Sequence, residues 1–536
     1  MSKTRPTQAP TTPAETELPE GWALVHAQDV CEINPRKPVA DALPADAPVT
    51  FVPMAAVDEN LGAITAPEDR PFGEIRPKSY TPFAEGDVLF AKITPCMENG
   101  KAAVARGLTN KLGFGTTEFH VFRPDGALMA DYLYHYIRQQ SFRDDAQAHM
   151  AGAVGQLRVP ADYVKDFELP LPPLPEQKRI VAKVEALLER VNAAGARLAK
   201  VPAILKRFRQ SVLAAACSGQ LTAEWRDSSD CEPVELALKR SGRDVDPKAI
   251  KHLVRRGSSG LPEPEEFETP PNWVLRTVRQ LVEAGAILDF QDGNHGSLYP
   301  RASDFGDTGV KFLTAAQVFD NRVLLDETPL LKTDKAKSLR IGFAKPRDVL
   351  LTHNATVGRV AILPEYQGDV ILGTSVTYYR TRPQVLLPEF LCFAMQAQLW
   401  QRQLRSVMEQ TTRNQVSVTK QVEFLLLVPP IEEQKEIARR VTTLFALADS
   451  IEAHVRAATV RAERLPQAIL ARAFRGELVP TEAELARAEG REYEPASVLL
   501  ERIQEAQARH QPAKRGRGAA RVPASAGRVA RKQYRR

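Results

Sequence analysis

Glu176-Gln177-Lys178-Arg179-Ile180, directly after Leu171-Pro172-Pro173-Leu174-Pro175, returns 257 residues later as Glu433-Gln434-Lys435-Glu436-Ile437 after Val428-Pro429-Pro430-Ile431-Glu432. At the same offset, the stretch from Gln210 to Leu221 matches that from Gln467 to Leu478. Upstream the match persists but slips: Leu18 to Trp22 resembles Thr269 to Trp273 at 251, and Phe51 to Val57 resembles Phe312 to Val318 at 261. The second copy has therefore gained about ten residues between its Trp and that strand, which the sequence places around Asp292-Gly-Asn-His-Gly296. Two copies of so long a period make a duplicated two-part unit, not a solenoid.

Each copy has two textures. Residues 19–170 and 269–428 mix Pro, Gly, aromatics and short apolar runs such as Val88-Leu-Phe90 and Val349-Leu-Leu351, a pattern of short strands and turns. Helical stretches near Tyr132 to Asp144 and Glu389 to Leu404 lie towards the ends of these regions. After each Pro-Pro the apolar residues fall on a heptad seam. In the first copy it is Ile180, Val184, Leu187, Val191, Leu198 and Leu205, and in the second Ile437, Val441, Leu444, Ile451, Val455 and Leu465. Such seams pack knobs-into-holes against another helix. Glu176 and Glu433 suit the first turn of a helix, and Gly219 and Gly476 suit its end. Pro202 and Pro466 lie inside the seams and predict a kink or break in each helix. The expected fold is α+β: two mixed α/β domains, each followed by a long helix, the helices pairing as an antiparallel coiled coil with pseudo-two-fold symmetry. Two heads on matched struts suit two inverted half-sites on a duplex.

The 536 residues carry a formal charge of +6. Residues 512–536 alone hold nine Lys and Arg and no acid, so the rest of the chain carries −3. The charge comes from a basic tail and does not make the body a nucleic-acid binder. No stretch approaches the length of uninterrupted apolar sequence that spans a membrane. Residues 1–18 lack the apolar core of a signal peptide and read as a disordered leader. Five dispersed cysteines, never in a C-x-x-C pair, suit a reducing cytoplasm.

Catalytic templates are missing. There is no P-loop, no complete dinucleotide fingerprint, no H-E-x-x-H and no G-x-S-x-G. The E-x-K spacing of Glu176-Gln177-Lys178 and Glu433-Gln434-Lys435 resembles a nuclease triplet, in which an acid holds Mg²⁺ and Lys assists the attacking water. Both triplets open helices after Pro-rich turns, where Glu is expected for local reasons. A Mg-dependent nuclease and a coiled-coil scaffold that binds only proteins are the two alternatives to a DNA-reading adaptor.

The paired helix starts and helix ends resemble the specificity subunit of type I restriction–modification systems. Supporting pieces are the segments from Gly86 to Lys101 and from Asp348 to Arg359, and Leu221-Thr-Ala-Glu-Trp-Arg226 after the first helix. The resemblance implies a subunit without catalytic residues that binds double-stranded DNA at a bipartite asymmetric target. It further implies two methyltransferase subunits and motor-nuclease subunits as partners, with S-adenosylmethionine, ATP and Mg bound by those partners and none in this chain. It divides the chain into recognition domains at 19–170 and 269–428, spacer helices at 171–221 and 429–478, a linker with a short helix at 222–268, a helical extension at 479–511 and the tail at 512–536.

Side chains able to reach base edges or hold phosphates cluster around Gly-rich turns. In the first domain they are Lys78, Lys92, Lys101, Arg106 and Lys111. In the second they are Asn294, His295, His353, Asn354, Arg359, Arg413, Asn414 and Gln415. Each residue type is equally at home on an ordinary solvated surface.

Overall fold

The computed structural model describes residues 17–38, 42–59, 62–153, 155–246, 250, 269–409 and 414–510. The leader up to residue 16, most of 247–268, Arg413 and the tail from 511 lie outside the described residues. The chain divides into two compact units, and neither is continuous with one copy of the repeat. The first takes Met1–Ala196 and Thr459–Arg536, the second Arg197–Ala458. Each contains one mixed domain, the start of the helix that follows it and the end of the other copy's helix.

Three long helices carry the seams: α1 (Leu174–Leu198), α2 (Val201–Cys217) and α3 (Ile431–Phe474). The pairing within each unit is antiparallel. In the first unit Ile180 and Val184 of α1 share a core with Ile469, Leu470 and Ala473 of α3. In the second, Val212, Leu213 and Ala216 of α2 share one with Ile437, Val441 and Phe445 of α3. There Arg209 of α2 reaches Asp449 (2.6 Å) and Glu452 (3.0 Å), while Arg440 donates to the Leu221 carbonyl (2.7 Å), so the two chains run in opposite directions.

The two prolines behave differently. The first helix breaks before Pro202, which then stands in the opening turn of α2, where a missing N–H is not felt. α3 continues through Pro466 as one helix of 44 residues. Gly195 stands where the second copy has Glu452, and glycine costs a helix about 1 kcal/mol. The first helix is thus the easier one to break; of the expected kink or break, the second helix shows no break.

The seam is also not uniformly closed. Ile180, Val184, Leu205, Ile437 and Val441 are buried, Leu187, Val191, Leu198, Leu444 and Val455 half-buried, and Ile451 (38%) and Leu465 (45%) exposed. Where a mixed domain adds a third wall the seam is dry. Away from those walls Leu205 is still buried, whereas Leu198 and Val455 are half-buried and Ile451 and Leu465 exposed.

Both mixed domains use one topology. The first has an antiparallel sheet in the order Cys31–Ile33, Phe119–Pro124, Val88–Ala91, Ala102–Val104. The second repeats it with Ile287–Asp292, Val376–Thr381, Val349–Asn354 and Thr356–Ile362. A second sheet contains one parallel pair in each, Pro48–Val52 with Leu112–Gly115 and Val310–Leu313 with Val370–Leu372. A two-strand ribbon ties the domain's start to its end, Ala23–His26 with Glu168–Leu171 and Val274–Thr277 with Leu425–Val428. Each predicted helical stretch is a pair, Ala130–Ile137 with Gln140–Ala148 and Pro388–Gln396 with Gln398–Glu409.

An ion pair on a buried carboxylate is duplicated too. Arg123 grips Asp87 with two hydrogen bonds (2.9 and 2.8 Å), and Arg380 grips Asp348 the same way (3.0 and 2.7 Å). Burial pushes the Asp348 carboxyl up, against the opposing pull of Arg380.

Strand register corrects the position of the ten-residue gain. Ile33 pairs with Phe122 as Phe290 pairs with Tyr379, and Phe51 with Phe114 as Phe312 with Ile371. Six of the extra residues therefore precede the strand Ile287–Asp292, in a longer helix Val278–Glu283 and the turn after it, and four follow it.

Candidate nucleic-acid interface

The Glu-Gln pair that defines the repeat is a joint. Gln177 Nε2 donates to the carbonyls of Ala127 (2.8 Å) and Pro172 (2.9 Å), and its Oε1 accepts from Met129 N (2.9 Å). Gln434 does the same with Val385, Pro429 and Leu387 N (2.9, 2.9 and 2.7 Å). Glu176 accepts from Trp22 Nε1 (2.9 Å) and Glu482 N (2.8 Å). Glu433 accepts from Trp273 Nε1 (2.7 Å), Thr222 Oγ1 (2.7 Å) and Arg226 Nη2 (2.8 Å). Burial raises the Glu176 carboxyl above its ordinary range despite the Glu482 amide, Trp22 and Arg179. Lys178 and Lys435 are exposed, and Lys435 pairs with Glu432. The E-x-K carboxylates are thus saturated by structural donors while their lysines point to water, an arrangement unlike a metal site.

Surface chemistry converges elsewhere, at the end of the antiparallel sheet. In the first unit Lys92 N donates to the Glu118 carbonyl, and its own carbonyl accepts from Val159 N (both 2.9 Å). Arg158 lies beside it with two hydrogen bonds to the Glu118 carboxylate (2.9 and 3.0 Å), which hold that carboxyl below its usual range. His120 Nε2 meets the Val159 carbonyl (2.9 Å) and its Nδ1 meets the Asn34 amide (3.1 Å). Burial pushes His120 down to about 4, so it is neutral with the proton on Nε2. The loop after Asn34 carries exposed Arg36 and Lys37, and Lys37 Nζ bonds the carbonyls of Arg76 (3.2 Å) and Lys78. Arg36, Lys37, Arg76, Lys78, Lys92 and Arg158 form one basic arc, with the Glu118 carboxylate turned onto Arg158.

The second unit builds the same junction from different side chains. His353 N donates to the Ser375 carbonyl (3.0 Å), Val416 N to the His353 carbonyl (2.8 Å) and Ala355 N to the Asn414 carbonyl (3.0 Å). The bridge between Asn354 and Gln415 corresponds to that between Ile93 and Arg158. His353 replaces Lys92, is fully buried and bonds Asp292 (3.0 Å) through Nε2. Gln415 replaces Arg158. Asn294, also buried, spends its amide on the carbonyls of Ile341 (2.7 Å) and Leu372 (3.2 Å).

The nominated residues sort accordingly. Lys78 and Lys92 lie on the arc, Lys92 half-buried with its ammonium pushed below the usual range by burial. Lys101 faces Glu59 (3.2 Å) and the Val57 carbonyl (3.0 Å), Arg106 is held by Asp131, and Lys111 is in an exposed turn on another side of the domain. His295, Asn414 and Gln415 are exposed at the second junction and Asn354 half-exposed. Asn294 and His353 support the backbone there and present no free side chain. Arg359 stacks on Phe319 (4.7 Å) and bonds the Val318 carbonyl (3.3 Å), away from the junction, and Arg413 lies outside the described residues. Arg36, Lys37, Arg76 and Arg158 were not anticipated. Arg158 was within reach, because it stands 257 residues before Gln415.

The family model for the type I restriction modification DNA specificity domain matches residues 19–202 and 310–458, more than half of the chain. The chain belongs to this type I specificity family. It is 35% identical over 320 residues to the EcoBI specificity subunit of Escherichia coli, covering 59% of each chain. It is 30% identical over 359 residues to the EcoKI specificity subunit of Escherichia coli strain K12, covering 67% of this chain and 68% of that one. With the EcoEI specificity subunit it shares 38% identity over 173 residues, 28% of that protein's length. The chain thus spans between about a quarter and three fifths of the length of the first relatives it matches. A crystal structure of an HsdS subunit from Thermoanaerobacter tengcongensis superimposes with a TM-score of 0.57 at 22% identity, over 86% of this chain and 99% of that one, and shows the shared fold.

Proposed function

We propose that this chain is the DNA sequence-specificity subunit of a type I restriction–modification complex. It has no catalytic role of its own and binds a bipartite asymmetric DNA target, each mixed domain reading one half. Two methyltransferase subunits and motor-nuclease subunits are its partners, and S-adenosylmethionine, ATP and Mg act in them, in the cytoplasm. The observation that carries this reading is the duplicated junction: one backbone arrangement, with a cationic side-chain set in one unit and an amide and histidine set in the other. Two readers of different half-sites need that combination, whereas a protein-only scaffold does not. Among the described residues no helix is long and apolar enough to cross a membrane, and no group of three potential metal ligands occurs.

Co-expression with the partner subunits and single-molecule sequencing of methylated host DNA tests the proposal. The expected motif has two half-sites around an unspecified gap. Exchanging residues 19–170 for the equivalent domain of a relative changes one half-site and leaves the other. A single continuous motif, or specificity unchanged by the exchange, overturns it.

A further inference from the structure

Four of the residues gained by the second copy extend the loop between Ile287–Asp292 and Val310–Leu313, and that loop is anchored at both feet. Gly293 packs so closely on the Gly373 carbonyl that a Cβ would lie 1.9 Å from its oxygen. Asn294 is buried with its amide spent, and Pro300 is buried at the other foot. Between them His295, Gly296, Ser297, Leu298 and Tyr299 are all exposed.

The tip is apolar where an exposed loop is ordinarily polar. Leu298 is 43% and Tyr299 38% exposed, and Phe343 on the adjoining strand is 37% exposed. The Tyr299 ring is braced edge-on against Phe312 (5.8 Å), so its direction is set before anything binds. Exposed cations flank these segments: Arg301 at the foot of the tip, Arg340 before Phe343, and Lys337 on the helix Thr333–Ser338, where Lys335 is half-buried. His295 lies 3.9 Å from Asp292, the residue that holds His353, so the tip continues the second junction. A partner protein would be served by the apolar patch alone. The flanking cations, which outnumber the exposed Asp307 and Asp334, favour a polyanion.

We propose that Leu298 and Tyr299 form a wedge that enters the duplex at the second half-site and unstacks one base step. This rests on the DNA-reading function proposed above. Exposed apolar side chains on a rigid loop, flanked by phosphate-binding cations, have the chemistry of an inserted wedge. Insertion also offers the second unit binding energy to set against the fewer cations of its junction.

The test uses the complete chain assembled with its methyltransferase subunits, and target duplexes carrying 2-aminopurine at successive positions of each half-site. The wild-type complex is expected to raise the fluorescence at one step of the second half-site. The L298A/Y299A variant is expected to lose that signal and about tenfold or more in affinity, as loss of base stacking does, with the first half-site unaffected. Leu298→Met, in the otherwise native chain, is expected to keep the signal. A variant that binds with unchanged affinity and signal overturns the wedge while leaving the DNA-reading function intact. So does a variant that no longer assembles with the methyltransferase subunits, because the patch is then a protein interface. A wild-type complex with no sequence preference overturns both proposals.

Discussion

The two sheet-end junctions share a backbone and differ in most of the side chains that it carries. Lys92, Glu118 and Arg158 in one unit become His353, Ser375 and Gln415 in the other, while the hydrogen bonds between the strands and the closing loop are repeated. The scaffold bonds run through backbone atoms, so side chains at these positions change without disturbing them. Deeper in each unit the side chains are repeated as well: Asp87 with Arg123 and Asp348 with Arg380, Gln177 and Gln434, Trp22 and Trp273. Identity was retained where a side chain closes the joint and released at the sheet ends proposed to face DNA.

The sharpest way to break that division is at the joint. Glu433→Ala leaves the half-buried Arg226 without its counter-charge and the Trp273 indole without an acceptor, and is expected to cost the second unit about 4 kcal/mol. Glu176→Ala removes only the Trp22 and Glu482 donors and is expected to cost about half that. Thermal unfolding of the two variants of the complete chain checks the order. Equal losses would mean that Arg226 adds nothing to the joint.

Acid separates the two units next. Burial holds His120 and His135, both in the first unit, at about 4. The unfolded chain takes up those protons near pH 6.5 and the native chain only near 4, so stability present above pH 6.5 is lost as the pH falls through that window. Each histidine contributes a loss of about 3 kcal/mol across it. Thr377 takes the place of His120 in the second unit. Hydrogen exchange between pH 7 and 4.5 should show the first unit opening before the second, and His120→Thr should narrow the difference. Simultaneous opening would contradict the neutral, buried state of these rings.

The smallest of the three effects concerns binding. Replacing Arg36, Lys37 and Lys78 together by Gln is expected to weaken DNA binding by the assembled complex about a hundredfold and to reduce the salt dependence by about three ions. Replacing Asn354, Asn414 and Gln415 by Ala should alter preference at the other half-site with little change in salt dependence. Equal salt slopes for the two sets would erase the proposed contrast between a cationic and an amide reader.

Much of the architecture was legible because duplication writes itself twice. Offsets of 257 and 261 located the strands, the helix starts and the equivalence of the two domains without any structure. The site was less legible. Lys78 and Lys92 could be nominated as basic residues near turns, but so could Lys101 and Arg106, and only the positions of Glu59 and Asp131 distinguish them. Nothing local marks His353 as buried or Asn294 as a loop anchor, because burial of a polar side chain depends on partners 61 and 78 residues away. Glu176 and Glu433 were read as helix-start acids. Their Trp partners lie 154 and 160 residues earlier, beyond any local pattern.

From composition and periodicity alone followed two mixed domains, two apolar helix seams and the location of the net charge in a tail. These are local properties, read from spacing and counting. Which segments share a unit was decided in three dimensions: the end of each helix joins the start of the other, so each compact unit is assembled from both copies. An apolar seam states that a helix needs a partner and is silent about its direction. The direction comes from long-range bonds such as Arg440 to the Leu221 carbonyl and Glu176 to the Glu482 amide.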